Sequence, residues 1–339
     1  MREPTKKYDK GLKEPRRKLH QCSRYLSYVC CLIVALLISA CSRPSEPLLS
    51  VGTIVWPGYE PLYLARSLGH YDNTQIKLVE LTSATEVIHA LRNGTLEAAA
   101  LTLDEALTII DDGFNLKIIL VMDYSNGGDV LLGKPQITSL AELRGKRVAV
   151  EYSAVGAIVL DAALETGGLD ASDIDIVACT PDEHIDCYGA ADAIVTFEPA
   201  TSQLLNQGAR RLFDSSQIPG KIVDVLVVSK NVTNTHPRSL EQLLSGYFKA
   251  RHYLASNPQS AFQHLAARLG VTPDEVPSTF DGIRLPSLQE NQTLLGGNPA
   301  PLQQTANELA SFMLEKKLLK NSLTIQRLLD DQFLPQNAP

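Results

Sequence analysis

Between residues 49 and 228, short β-rich segments alternate with amphipathic helical segments, and this alternation stops and restarts once. The first series has strand patterns at residues 49–55 (LSVGTIV), 76–81 (IKLVEL), 98–101 and 116–122 (LKIILVM). The second series has strand patterns at residues 147–150 (RVAV), 174–178 (IDIVA) and 192–197 (DAIVTF). Strands separated by helices are typical of βαβ units around a parallel sheet. Two such series predict two α/β lobes.

Two extended segments are expected to connect the lobes. Residues 129–133 (DVLLG) follow the first series, and residues 223–228 (VDVLVV) lead back to it before an almost wholly helical stretch that runs to about residue 329. We therefore predict a first lobe from residues 49–134 and 225–335, with a helical C-terminal region, and a second lobe from residues 135–224. Two lobes joined by two crossovers can close like a clamp about a few hinge residues.

The first forty residues differ from the rest in composition. They hold nine Lys/Arg and a short apolar run at 28–40 (YVCCLIVALLISA). This run is shorter than the roughly 20 residues of a membrane-spanning helix. Residues 38–41 (ISAC) resemble the lipobox at which lipoprotein signal peptides are cut, so we interpret 1–40 as a signal peptide and Cys41 as lipidated. An uncut anchor helix is the alternative, and residues 41–48 are expected to form a spacer.

Charge and cysteine content restrict what the rest of the chain can do. Residues after position 40 carry 22 Lys/Arg and 35 Asp/Glu without a basic run, which argues against nucleic acid as a partner. Cys179 and Cys187 lie close in sequence, and an oxidising compartment permits a disulfide between them. Free buried thiols are the second interpretation. A metal site that includes His184 is the third and weakest, because Cys-x4-His-x2-Cys matches no usual zinc spacing.

Four segments occur in an order that resembles one known family. They are residues 55–65 (VWPGYEPLYLA), 90–99 (ALRNGTLEAA), 145–150 (GKRVAV) and 192–199 (DAIVTFEP). Together they resemble the periplasmic binding proteins of the nitrate, taurine and aliphatic-sulfonate type, a group that includes proteins similar to thiamine-pyrimidine synthases. The resemblance implies a type II periplasmic binding fold, with a ligand cleft between two α/β lobes, that is presented to an ABC permease in the inner membrane.

Ligands of open parallel sheets bind beyond the carboxyl ends of the strands. The candidate ligand residues at those ends are Trp56, Tyr59, Ser83, Thr85, Thr102, Asp104, Ser125, Asn126, Tyr152, Ser153, Glu198 and Asp224. Trp56 is favoured as a stacking wall, whereas Tyr59 is equally consistent with the core. Ser83 and Thr102 each precede a glutamate by three residues, and helix capping is their favoured role.

The remaining candidates each have an ordinary structural alternative. Asp104 and Glu198 are equally consistent with first-turn acids that complement a helix dipole. Ser125 and Asn126 precede Gly127-Gly128, which predicts either a flexible crossover or an ordinary turn. Asp224 is expected either to touch the ligand or to hold the second crossover.

Acidic residues outnumber basic ones at these strand ends. Asp104, Asp123, Glu151, Glu198 and Asp224 lie there, against Lys134 alone. A small oxyanion is usually held by helix N-termini and by Arg or Lys. We therefore expect a neutral, cationic or zwitterionic organic ligand, with donor groups facing Asp104 or Glu198 and an apolar part against Trp56.

These observations lead to one functional hypothesis and two alternatives. The chain is expected to be a monomeric, lipid-anchored periplasmic binding protein of an ABC importer, without cofactor or metal. A ligand receptor for a membrane sensor kinase is the first alternative. A pyrimidine-synthase-like enzyme is less favoured, because the sequence has no Gly-x-Ser-x-Gly, His-Glu-x-x-His or phosphate-loop motif.

Overall fold

The computed structural model describes residues 46–151, 154–323, 325 and 328–337, together with Met1 and Pro4. The predicted signal peptide at 1–40, the lipidation site Cys41 and the candidate ligand residues Tyr152 and Ser153 lie outside the described residues. Residues from Glu46 onward form one compact unit.

The first lobe is built on a mixed sheet with the strand order β11-β4-β10-β3-β1-β2. Its strands are β1 Leu49–Thr53, β2 Ile76–Glu80, β3 Ala98–Thr102, β4 Leu116–Ser125, β10 Val223–Ser229 and β11 Ile283–Arg284. β1 pairs in parallel with β2 and β3, whereas β10 runs antiparallel between β3 and β4. β3 and most of β10 are buried along their length, so they read as continuous apolar runs.

The second lobe is built on a smaller mixed sheet with the order β7-β6-β8-β5-β9. Its strands are β5 Val130–Gly133, β6 Arg147–Val150, β7 Asp175–Ala178, β8 Ala193–Thr196 and β9 Arg210–Asp214. β6 pairs in parallel with β7 and β8, and β5 runs antiparallel between β8 and β9. Each sheet thus contains one strand, β10 or β5, that arrives from the other lobe and runs against the parallel set.

Helices flank both sheets. They are α1 Glu60–Ser67, α2 Ala84–Arg92, α3 Leu103–Asp111, α4 Ala154–Thr166, α5 His184–Ala190, α6 Ala200–Asn206, α7 Val232–Thr235, α8 Pro237–Ser256, α9 Pro258–Leu269, α10 Val276–Thr279, α11 Leu288–Leu295 and α12 Pro301–Glu315. The large apolar core lies in the first lobe, and the second lobe has two smaller clusters. The predicted α/β fold class with two lobes and a helical C-terminal region is confirmed.

The structure corrects three boundaries that were drawn from sequence. Val223 and Asp224, assigned above to the second lobe, begin β10 of the first sheet. Val130–Gly133, assigned above to the first lobe, hydrogen-bonds to β8 and β9 and so belongs to the second sheet. Glu46, assigned to the spacer, accepts hydrogen bonds from the backbone N–H groups of Arg238 and Ser239 at the start of α8. A carboxylate at a helix N-terminus satisfies free amides, so Glu46 is part of the first lobe.

We also compared each helix with the length and hydropathy needed to cross a bilayer. Within the part of the chain that the structure describes, no helix meets both requirements.

Candidate functional site

A small cavity lies where the strand ends of the two lobes meet. Its volume is about 30 Å³. The first lobe contributes Ile54, Trp56, Tyr59, Ala84, Ala100, Thr102, Glu105 and Asp224, and the second lobe with its crossover contributes Asp129, Glu151, Val155 and Phe197. We call this the carboxylate cavity, because four of these side chains are acidic.

The aromatic wall of the carboxylate cavity is fixed by buried carboxylates. The Trp56 Nε1–H donates to Asp123 Oδ2 at 3.1 Å, and the Tyr59 hydroxyl donates to Asp224 Oδ1 at 2.5 Å. Phe197, from the other lobe, meets the Trp56 ring edge to face at 5.5 Å between centroids. Such contacts hold the rings in one orientation, which makes a preformed surface for a flat or apolar group.

Strand register brings two aspartates side by side below this wall. β10 runs antiparallel to its neighbours, so Asp224 near its start lies opposite Thr102 at the end of β3 and opposite Asp123 towards the end of β4. Burial raises the pKa of Asp123 to about 7. Burial and the neighbouring charge of Asp123 raise the pKa of Asp224 well above its ordinary value. The two carboxyl groups therefore resist simultaneous ionisation.

The start of α3 adds two further carboxyl groups. Glu105 Oε2 accepts from the Thr102 backbone N–H at 3.0 Å, as in a capping box, while Glu105 Oε1 is buried without a hydrogen-bond partner. Burial, followed by the charges of Asp104 and Glu151, raises the pKa of Glu105 well above its ordinary value. Asp104 is fully buried, and neither of its carboxylate oxygens makes a well-formed hydrogen bond, although the Thr102 side chain lies close enough to lower its pKa against the larger effect of burial.

The second lobe and the crossover bring two acids to the same cavity. Glu151 follows β6. Burial raises its pKa, and the backbone N–H groups of Thr85 and Ala84, at the start of α2 in the first lobe, partly offset this rise. Glu151 Oε1 is nevertheless buried without a partner. Asp129 lies on the first crossover, and burial raises its pKa to about 6. Residues of both lobes therefore complete the acidic lining.

The first crossover is held by two serines. The Ser125 and Ser215 hydroxyl groups lie 2.7 Å apart. Ser125 Oγ accepts from the Asp129 backbone N–H at 3.0 Å, and Ser215 Oγ accepts from the Gly127 backbone N–H at 2.7 Å. These bonds fix the turn that leads Asp129 into the cavity.

A second cavity of about 480 Å³ also lies between the lobes and shares Phe197 with the first. We call it the Glu198 cavity, and Asp182, His184, Arg268 and Glu80 also line it. Glu198 accepts from the Ser202 backbone N–H at 3.1 Å and from its hydroxyl at 2.9 Å. Glu198 therefore has the helix-complementing contact proposed for it, in addition to its place on a cavity wall.

The cysteine segment lies beside the Glu198 cavity. The structure places Cys179 and Cys187 in a disulfide, with their Cα atoms 6.3 Å apart. His184 lies between them in sequence. Its side chain contacts Thr196, with Nδ1 2.8 Å from Thr196 Oγ1. Burial lowers the pKa of His184 to about 4, so its imidazole is neutral near neutral pH. Among the described residues, no group of His, Cys, Asp and Glu has a metal-binding arrangement.

The predicted ligand residues fall into three groups. Those that line the carboxylate cavity are Trp56, Tyr59, Thr102 and Asp224, whereas Glu198 lines the second cavity. Those that adjoin the carboxylate cavity without lining it are Ser83, Thr85, Asp104 and Ser125. Asn126 is exposed on the crossover, where its backbone N–H donates to the Gly282 carbonyl oxygen at 2.7 Å.

Comparison with known proteins places these features in a family. The sequence model of the NMT1-like family matches residues 42–270, more than half of the chain. The chain belongs to the NMT1-like family. This membership agrees with the family resemblance carried by the four sequence segments.

Individual relatives of this NMT1-like chain are named either for the binding of a small molecule or for thiamine biosynthesis. The taurine-binding periplasmic protein of Escherichia coli is 24% identical over 69% of this chain and 75% of its own length. A putative thiamine biosynthesis protein of Haemophilus influenzae is 24% identical over 58% of this chain and 62% of its own length. The alkanesulfonate-binding protein SsuA of Xanthomonas axonopodis pv. citri, solved with MOPS, has a TM-score of 0.70 and 18% identity, and covers 84% of this chain and 99% of its own. The last likeness confirms the periplasmic binding fold.

Sequence reasoning missed several residues that line the carboxylate cavity of the NMT1-like chain, among them Glu105, Asp129 and Phe197. Glu105 was interpreted only as the glutamate of a capping box, although one of its oxygens is left over for another partner. Asp129 directly precedes an apolar strand, and this position was a usable signal. Phe197 lies within a segment that carries the family resemblance, but its contact with Trp56 joins residues from different lobes. No local pattern could have indicated that contact.

Proposed function

We propose that this chain is the solute-binding component of an ABC importer, which closes two lobes on a small organic ligand and delivers it to a permease in the inner membrane. The observation that carries the proposal is a cavity lined by both lobes. Because the lining residues come from strand ends on either side, the lobes bury a ligand only when they close. Closure then gives a permease a surface that differs between the free and bound states.

The relatives support this role. Two of the proteins described above are named as binding proteins for taurine and for alkanesulfonates, and the second shares the fold over most of this chain. The Haemophilus influenzae relative is named for thiamine biosynthesis, which keeps a pyrimidine-related ligand within the range to be screened. A binding role is compatible with all three names.

We further propose that the chain acts in the periplasm as a monomer and is held at a membrane through lipid on Cys41. The lipobox-like residues 38–41 follow an apolar run that is too short to span a bilayer. Glu46, close to Cys41 in sequence, is hydrogen-bonded at the start of α8. A tether of only a few residues would therefore separate the lipid from the first lobe.

The lining favours a neutral, cationic or zwitterionic ligand over a simple oxyanion. Glu105, Asp129, Glu151 and Asp224 face the carboxylate cavity. An anion placed among them would meet like charge in a site of low dielectric, which is unfavourable. Trp56 and Phe197 offer apolar surface for the remainder of the ligand.

The proposal is tested by combining ligand screening with uptake. The full chain is screened by thermal shift against sulfonates, amines, pyrimidines and amino acids, and the correct class should raise the Tm by several degrees. A strain without the gene should then lose uptake of that compound, and wild-type chain should restore it. The Cys41→Ser variant should appear in the soluble fraction and restore less uptake.

Normal uptake in the deletion strain would overturn the importer role. If the strain lost instead a transcriptional response to the same compound, the chain would be a receptor for a sensor kinase. Conversion of the compound by the purified chain would identify an enzyme.

A further inference from the structure

We propose that the carboxylate cavity, widened by a separation of the two lobes, recognises an organic cation that carries N–H donors, with Glu105 and Glu151 as its principal acceptors. This inference rests on the proposed solute-binding function and specifies its ligand class. The sequence led us to expect the donor groups of the ligand to face Asp104 or Glu198. The proposal places them against Glu105 and Glu151 instead.

Acidic groups around the cavity are not balanced by basic ones. Six carboxyl groups, which we call the acidic cluster, lie in or against the cavity: Asp104, Glu105, Asp123, Asp129, Glu151 and Asp224. No basic side chain is present among the described residues that line the cavity. Basic residues near the crossover are already engaged, since Arg211 donates to the Gly127 carbonyl oxygen and Lys134 lies over the Tyr188 ring. A cationic ligand would supply the missing charge.

The second argument is the set of unused acceptors. Glu105 is 2% exposed and Glu151 is 8% exposed, and each has one buried carboxylate oxygen without a hydrogen-bond partner. A buried acceptor left unsatisfied destabilises the protein, and more so if it is charged. These two glutamates come from different lobes and line one cavity. A ligand with N–H donors could satisfy both, whereas a quaternary ammonium could satisfy neither.

The third argument concerns the aromatic wall. Trp56, Tyr59 and Phe197 line the same cavity as the two glutamates. Aromatic rings attract cations through their quadrupoles, and the attraction increases when the cation is desolvated. The combination of aromatic and acidic lining therefore selects a flat organic cation, such as an amidinium or a protonated ring amine, over an inorganic cation.

The ionisation of the cluster adds a measurable consequence. Glu105 lies near Asp104 on its own helix and near Glu151 of the second lobe. Asp224 and Tyr59 of the first lobe also lie near Glu105. Asp123 and Asp129 lie near Asp224. Burial raises the pKa of the carboxyl groups of this cluster, to about 7 for Asp104 and Asp123. A bound cation stabilises the ionised forms, so binding should release protons and strengthen as pH rises.

The test uses three probes of nearly equal shape, which are benzamidine, benzamide and benzoate. Calorimetric titration of the full chain at about pH 6 and about pH 8 should give at least roughly tenfold tighter binding of the cation than of the neutral amide. Affinity for benzamidine should rise with pH by up to about tenfold per unit for each proton released. Benzoate should not bind.

Two variants provide a matched pair. Glu105→Gln keeps the acceptor for the Thr102 N–H but removes the charge, and it should weaken benzamidine binding by about tenfold or more. Glu290→Gln changes the equivalent capping glutamate of α11, which is exposed and accepts from the Ser287 N–H, and it should bind benzamidine like wild type. A circular dichroism melt of each variant checks folding.

The outcomes separate the ligand class from the function. Equal binding of benzamidine by wild type and Glu105→Gln would overturn the assignment of Glu105. Binding of benzoate or benzamide in preference to benzamidine would overturn the cationic class and leave the solute-binding function standing. Failure of every probe here, together with failure of every class in the thermal-shift screen, would overturn both.

Discussion

At the scale of single residues, the aromatic wall depends on a glycine. A Cβ atom on Gly58 would lie 1.8 Å from Asp123 Oδ2 and 2.5 Å from Trp56 Nε1, the two atoms that form the hydrogen bond of the wall. Gly58 is buried in the turn between β1 and α1. Only a residue without a side chain lets Trp56 and Asp123 meet there.

We therefore expect Gly58→Ala to lower the free energy of unfolding by about 1–3 kcal/mol, because the added methyl group overpacks the site. Gly189→Ala is the control. Gly189 is exposed within α5, and a Cβ there would contact nothing within 4 Å, so this change should be neutral or stabilise by about 0.5–1 kcal/mol. Urea denaturation measures both changes, and equal stability of the two variants would contradict the role of Gly58.

At the scale of elements, helix N-termini place backbone N–H groups beside the cleft. Ser83 precedes α2 and its hydroxyl accepts from the Glu86 N–H at 3.2 Å, while the N–H groups of Ala84 and Thr85 lower the pKa of Glu151 against the larger effect of burial, which raises it. Ser287 precedes α11 and makes the same contact with the Glu290 N–H at 3.2 Å, away from both cavities. Ser83 thus has a structural task that does not require contact with a ligand.

We predict that Ser83→Ala and Ser287→Ala each lower the free energy of unfolding by about 1 kcal/mol, since each loses one N-cap hydrogen bond. Affinity for the ligand found by screening should change less than about threefold in either variant. Thermal denaturation and calorimetric titration give the two quantities. A large loss of affinity in Ser83→Ala alone would instead make Ser83 a ligand contact.

At the scale of the whole molecule, the acidic cluster reduces stability in exchange for a binding site. Asp104 is fully buried without a well-formed hydrogen bond, and burial with the nearby charge of Asp129 raises its pKa to about 7. Because the pKa is higher in the folded state than in the unfolded chain, the folded state binds more protons. The contribution of Asp104 to the free energy of unfolding is fully present below about pH 4 and is lost as the pH rises to about 7.

Asp104→Asn should therefore stabilise the protein at about pH 8, by on the order of 2–4 kcal/mol, and make little difference at about pH 4. The control is Asp72→Asn, which changes an exposed aspartate whose pKa is lowered by hydrogen bonds from Thr74. This control should not gain stability at the higher pH. Urea denaturation at the two pH values tests the prediction, and a gain that does not depend on pH would contradict it.

The sequence by itself determined the elements and the lobes. Alternating β-rich and amphipathic segments predicted most strands to within a few residues, because the period of apolar residues is a local property of the chain. The same reasoning placed Trp56, Tyr59, Thr102 and Asp224 at strand ends, where the structure has them lining one cavity. It also missed short elements with weak patterns, such as β9 and α5.

Only the tertiary structure decided which of these residues meet. Asp224 lies beside Asp123 because β10 runs antiparallel in a particular register, and Glu151 reaches the start of α2 because the lobes approach each other. Phe197 contacts Trp56 for the same reason, whereas Asp104 lies off the cavity wall. Strand register and lobe contacts join residues that are far apart in sequence, so no local pattern encodes them. The acidic strand ends could be read from the sequence, but the meeting of Glu105 and Glu151 in one cavity, each with an unpaired buried oxygen, could not.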